Sequence, residues 1–203
     1  MNNYGIKMVS DGFSWKDIPV LEMGCYYKNT PDSIKAYAQI CCGADSLNVH
    51  LWTTEPERRA EETDLLGSPC LDSCLEFFFS PMENDIRYLN IEFNSNGCLF
   101  LGIGSGIHDL TRLVSSDLVP ERLIVPQIEK KDGGWDLYYS IPFEFIRRFF
   151  PDFKAYEGKV IKANCYKCSD EGEYPHYISW NLIESEKLSY HRPEYFGEMT
   201  FVK

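Results

Sequence analysis

The chain has 203 residues, with 31 acidic against 20 basic side chains, a formal net charge of −11, and 44% hydrophobic and 15% aromatic content. This balance argues against a nucleic-acid or anionic-membrane partner, since both need a dense basic footprint, and against a disordered chain. The length provides one sizeable core and is short for two.

Residues 1–10, MNNYGIKMVS, hold no apolar run of the length an export signal needs, and no segment approaches the roughly 20 apolar residues of a membrane-spanning helix. The expectation is a soluble, intracellular protein, or an extracellular or periplasmic one if a leader has been removed. The eight cysteines (Cys25, Cys41, Cys42, Cys70, Cys74, Cys98, Cys165, Cys168) then read as buried reduced thiols.

Residues 1–24 read as a wrapping arm with little regular structure. Ala36–Cys42 and Leu47–Thr53 alternate cleanly about the turn at Gly43–Ser46 and form a hairpin. The charged run from Thr53 to Gly67 is a short helix or a solvated loop.

From Leu71 to Gly104 the sequence gives three consecutive strands. Ser73, Leu75, Phe77 and Phe79 share one face of the first, and Cys74, Glu76, Phe78 and Ser80 share the other. In the second, Tyr88, Asn90, Glu92 and Asn94 alternate with Leu89, Ile91 and Phe93, and Asn94–Gly97 turns the chain into the third. One sheet face is therefore greasy, while the other places Glu76, Asn90 and Glu92 among aromatics, which suits a polar ligand.

Beyond it, 102–120 reads as loop or short helix, and Leu123–Ile128 as a strand that Pro126 confines to an edge. Trp135–Ile141 is a strand, and Ile141–Phe150 a helix opened by Pro142 and stopped by Pro151. Strands over 158–168, 176–180 and 198–202 complete the count at about ten. Short strands at this spacing predict a single all-β domain over 1–203, an antiparallel β-sandwich of immunoglobulin-like or jelly-roll type with one short helix.

Three constellations carry little chemistry on their own. Cys165-Tyr-Lys-Cys168 has zinc or redox spacing but lies in a strand, where residues three apart face opposite sides. Gly102, Gly104 and Gly106 lack the βαβ context of a dinucleotide loop. His50, His108, His176 and His191 form no ligand spacing. Glu76 and Glu92 fit the paired carboxylates of a glycosidase, or carboxylates that bind sugar hydroxyls without catalysis. The tail, from Tyr174 to Trp180 and from Ser189 to Glu198, is dense in aromatics. It reads either as a closing strand with a core tryptophan or as a platform for sugar rings.

Four segments together resemble the family 9 carbohydrate-binding modules: Pro69–Phe79, Tyr88–Asn94, Ala163–Cys168, and Ile178–Trp180 with His191–Gly197. The resemblance implies a β-sandwich that binds mono-, oligo- or polysaccharide without catalysis, often appended to glycoside hydrolases and serving glycan breakdown. It implies sugar contacts at Glu76, Asn90, Tyr166 and Tyr190, and puts Cys70 where the family has the first of two clamping tryptophans. Family members can hold structural calcium, although no calcium-loop spacing is readable here, so no cofactor is expected. The other readings are a hydrolase using Glu76 and Glu92, a haem- or metal-binding sandwich, and an assembly surface on the same face.

Overall fold

The computed structural model describes residues 1–56, 58–64, 67–113 and 124–203. Its strands are β1 (Asn3–Met8), β2 (Leu21–Glu22), β3 (Cys25–Tyr27), β4 (Lys35–Cys42), β5 (Ser46–Thr54), β6 (Cys74–Ser80), β7 (Tyr88–Asn94), β8 (Leu99–Gly104), β9 (Thr111–Arg112), β10 (Gln127–Lys131), β11 (Gly134–Pro142), β12 (Val160–Ser169), β13 (His176–Ser179) and β14 (Gly197–Val202). Among the described residues one α-helix, α1 (Phe143–Phe149), follows β11, and three single-turn 3-10 helices lie at Trp15–Asp17, Pro69–Leu71 and Pro193–Tyr195. No helix among the described residues is long and apolar enough to cross a membrane.

The strands form one hydrogen-bonded sheet in the order β10-β11-β5-β4-β1-β14-β12-β6-β7-β8-β9, with β2 on β4, β13 on β12 and β3 on β13. The sheet curls until its two ends face each other. Phe93 of β7 meets Tyr139 of β11 with ring centroids 5.3 Å apart, and the Trp135 indole N–H of β11 donates to Ser73 Oγ just before β6, at 2.8 Å. Leu75, Phe77, Phe79, Leu89, Ile91 and Phe93 of β6 and β7 therefore share a core with Val49, Leu51, Trp135 and Leu137. Each such side chain adds about 1.5–3 kcal/mol through burial.

The expectation of a wholly antiparallel sheet is corrected by β1. It runs parallel to β14 on one side and to β4 on the other, so the sheet is mixed. The first residues are thus a strand at the centre of the sheet, where an arm was expected. Asn3–Met8 hides this because only Tyr4 and Ile6 of its six residues are buried, and its partners lie at the far end of the chain and in the first hairpin, more than thirty residues on. Pairing over such a distance leaves no turn signal to read.

The strand expected over 123–128 begins only at Gln127, after Pro126, whose missing N–H cannot join a ladder; Leu123 lies outside the described residues. Of the loop or helix expected over 102–120, residues 114–120 also lie outside them, as do residues 57, 65 and 66 of the charged run. The hairpin of β4 and β5, the meander of β6, β7 and β8, and α1 lie where the sequence puts them.

Candidate functional site

Strands β6 and β7 are buried on both faces. Their inner face feeds the main core, and their outer face is covered by the irregular tail 182–196. Cys74, Phe78, Tyr88, Tyr166 and Cys168 pack there against Ile183, Tyr190 and Phe196. Hydrogen bonds from side chains fix the tail, since it contributes no regular ladder. Asn181 Nδ2 donates to Tyr195 O at 2.7 Å, the Ile183 amide to Tyr27 Oη at 2.8 Å, and Tyr190 Oη to Lys167 O at 3.0 Å. The segment that most specifically carries the family resemblance is explained by packing. Trp180 is a core residue, and a side chain at Gly197 would collide with its ring at 2.6 Å. It is not a platform.

Between the tail and the sheet lies a cavity of about 310 Å³ lined by Lys28, Cys70, Glu76, Glu92, Cys168, Asp170, Tyr177, Leu188, Ser189, Tyr190 and His191. Its size sits at the lower end for small-molecule pockets. The structure thus brings together Glu76, Tyr190 and Cys70, three of the five residues singled out for sugar contact. Tyr166 and Asn90 are fully buried and are not in the cavity wall. Tyr166 stacks behind Tyr190, with centroids 4.1 Å apart and planes at 12°, and donates from Oη to Tyr190 O at 3.1 Å. Among the described residues Asn90 has no hydrogen-bond partner for either amide atom. It nonetheless lies close enough to Glu92 to ease that carboxyl's ionisation.

Glu76 and Glu92 stand directly opposite each other on β6 and β7. Burial, and then the charge of Glu92, holds the Glu76 carboxyl well above the ordinary range. Burial pushes Glu92 up to about 7, with Asn90 and Arg112 pulling the other way. Among the described residues neither carboxyl forms an ion pair with a lysine, arginine or histidine. Cys168 Sγ lies 3.0 Å from Glu76 Oε1 as a donor, and Lys28 sits over the Tyr177 ring at 3.8 Å. His191, which burial lowers to about 4, meets Tyr88 Oη at 2.9 Å through Nδ1. A protonated carboxyl both donates and accepts, which matches the dual character of a sugar hydroxyl.

Sequence reasoning passed over Lys28, Asp170 and Leu188, which reach the cavity from separate segments with no local signal, whereas Tyr177 belongs to the aromatic tail it had singled out. It treated Cys168 only as half of a Cys-x-x-Cys pair. Cys165 and Cys168 do lie on opposite faces, in the main core and the outer cluster. The neighbour of Cys168 across the ladder is Cys74. Among the described residues one group of side chains has the proximity to hold a metal, Cys74, Glu76 and Cys168. Two thiols do not suit calcium, which takes oxygen ligands.

Comparison with known proteins places this site in context. Comparison with curated protein sequences gave no match. A candidate carbohydrate-binding protein from Bacteroides uniformis has a similar structure, at 26% identity over 98% of both chains with a TM-score of 0.82. A family 9 carbohydrate-binding module from Caldicellulosiruptor kristjanssonii, in complex with cellotriose, matches 99% of this chain and 94% of its own at 11% identity and TM-score 0.71. A glucose complex described in the same terms, from the same organism, matches 98% and 95% at 12% identity and TM-score 0.69. The model of carbohydrate-binding family 9 matches residues 12–201. The chain belongs to carbohydrate-binding family 9.

Proposed function

We propose that residues 1–203 form one jelly-roll-type β-sandwich domain that binds saccharide in the cavity between β6, β7 and the tail, without turning it over, in the service of glycan breakdown. The observation that carries this reading is the meeting of two buried carboxyls, Glu76 and Glu92, with the Tyr190 ring in one open cavity. The carboxyls exchange hydrogen bonds with hydroxyls, and the ring meets the C–H face of the sugar. Tyr166 and Asn90 support these groups from behind. Cys70 stands at the wall where a second ring would stack, so aromatic contact comes from the Tyr190 and Tyr177 side, whose rings meet edge-on at 6.4 Å. Recognition of this kind uses side chains alone and needs no calcium.

The test is calorimetry with glucose and cellotriose as first probes, followed by a glycan array. Glu76→Ala and Tyr190→Ala should each abolish detectable binding while circular dichroism reports an intact sheet. Chromogenic glycosides should not be turned over. If no sugar binds the folded wild-type protein, the reading is wrong.

A further inference from the structure

We propose that Cys74, Cys168 and Glu76 form a site for a thiophilic divalent cation of the zinc type at the floor of the cavity. This goes beyond sugar binding and does not rest on it. Cys74 and Cys168 are directly paired across β6 and β12, so their side chains leave the sheet on the same face. Glu76 follows Cys74 by two residues and shares that face. One donor atom from each of the three lies within 4.8 Å of the others, and all three residues are buried. A tetrahedral zinc ion needs its sulfur and oxygen ligands about 3.5–3.8 Å apart, given bond lengths of about 2.3 and 2.0 Å. Adjustment to that geometry asks for side-chain movement of at most about an ångström, with the Cys168 Sγ–Glu76 Oε1 contact of 3.0 Å opening slightly.

A second observation points to a cation independently of the thiols. Two buried carboxyls face each other here, and among the described residues no lysine, arginine or histidine forms an ion pair with either, Arg112 easing the ionisation of Glu92 only from farther off. Proteins bury carboxylates with a counter-ion, a metal or a proton. Two thiols and one carboxylate form a soft donor set, which selects zinc-like ions over calcium or magnesium. Binding displaces the two thiol protons, together with the Glu76 proton when it is present, and no electron moves. Glu76 and Cys168 line the cavity whereas Cys74 lies behind them, so the fourth coordination position faces the opening. Because a carboxylate has two oxygens, Glu76 can hold a cation with one and accept from a sugar hydroxyl with the other.

The experiment strips the reduced full-length protein with a chelator, then titrates Co²⁺ and Zn²⁺ by absorption and calorimetry. One equivalent should bind with release of at least two protons. The cobalt form should show thiolate-to-cobalt charge transfer and the intense visible bands of a four-coordinate ion. Cys168→Ser and Glu76→Gln should weaken binding by about 10–100-fold or more, and Cys165→Ser, on the opposite face, should leave it unchanged. Absence of the charge-transfer band in folded wild type would overturn the proposal. So would its survival in Cys168→Ser, or a Cys74–Cys168 disulfide in the native protein. Sugar titrations on the stripped and loaded samples keep the two readings apart. Sugar binding with no metal band refutes only the cation, and a metal band with no sugar binding refutes only the saccharide reading.

Discussion

Two buried ionisable clusters lie back to back across β12, and neighbouring residues feed them. Lys167 faces the core side, with Nζ 3.2 Å from Glu55 Oε2, 2.6 Å from His176 Nε2 and 2.8 Å from Cys168 O. Glu55 also accepts from the Ser73 hydroxyl, which in turn accepts from Trp135 Nε1. Every charge there has an opposite charge and its hydrogen bonds. Cys168, one residue on, faces the cavity, where Glu76 and Glu92 have acid for company and no lysine, arginine or histidine paired with them among the described residues. Equal burial therefore hides different logic. The first cluster is satisfied by the fold itself, and the second is left for something from outside.

The sharpest way to break this contrast is to remove one member from each side. Lys167→Met strands the Glu55 carboxylate inside the protein, and losing one partner of a buried pair costs about 3–5 kcal/mol. Urea denaturation should show a loss of that order. Glu76→Gln, in metal-free protein, removes a carboxyl that the fold does not need ionised. It should shift stability by no more than about 1 kcal/mol while abolishing sugar binding. Similar costs for the two variants would erase the distinction.

The two sides also differ in the sense of their titration. Burial, and then the Lys167 charge, lowers His176 to about 4 from an ordinary 6.5. It stays neutral with Nδ1–H donating to Tyr174 O at 2.7 Å and Nε2 accepting from Lys167. The unfolded chain takes up that proton first, so the stability His176 contributes is whole above pH 6.5 and is lost as pH falls through about 4. Glu92 runs the other way. Its fold-state value of about 7 against an ordinary 4.5 means that its contribution is whole below pH 4.5 and is lost as pH rises through 7. Each span corresponds to at most about 3 kcal/mol. The slopes oppose each other in wild type. In metal-free Glu92→Gln only the histidine slope is kept from this pair, so the variant should gain stability above pH 7 and lose it more steeply than wild type on acidification. Denaturation midpoints from pH 4.5 to 8 check this, and parallel wild-type and variant profiles would refute it.

The contrast also explains what the sequence could show. The alternation in β6 and β7 already put Ser73, Leu75 and Phe77 on one face and Cys74 and Glu76 on the other, because a two-residue period is local. The pairing of Cys74 with Cys168, residues on strands far apart in the chain, is set by the register of β6 against β12. The position of Lys167 over Glu55 depends on the sheet curling. The parallel strand β1 was missed for the same reason. Local patterns give faces, while partners come from closure. Tyr166 shows the limit in one residue. The family resemblance pointed it to the site, but its full burial against Tyr190 and Phe78 was not legible.

Tyr166 is the finest test of the boundary between the clusters, because it belongs to the outer face and yet lies fully buried behind the cavity wall, paired with Glu76 across the ladder and stacked on Tyr190. Its ring stacks on Tyr190 and meets Phe78 edge-on at 4.9 Å, and its hydroxyl gives one buried hydrogen bond to Tyr190 O. Tyr166→Phe keeps both ring contacts and removes only that bond. The loss should be about 1 kcal/mol of stability, read as a shift in urea midpoint with an unchanged slope. Sugar affinity should change by less than about threefold, since the Tyr190 ring is still held by its own hydroxyl bonds to Lys167 O and Ile178 O, the latter at 3.3 Å. A tenfold loss of affinity at near-wild-type stability would mean that the Tyr166 hydroxyl meets the sugar, and that the cavity extends behind Tyr190 when occupied.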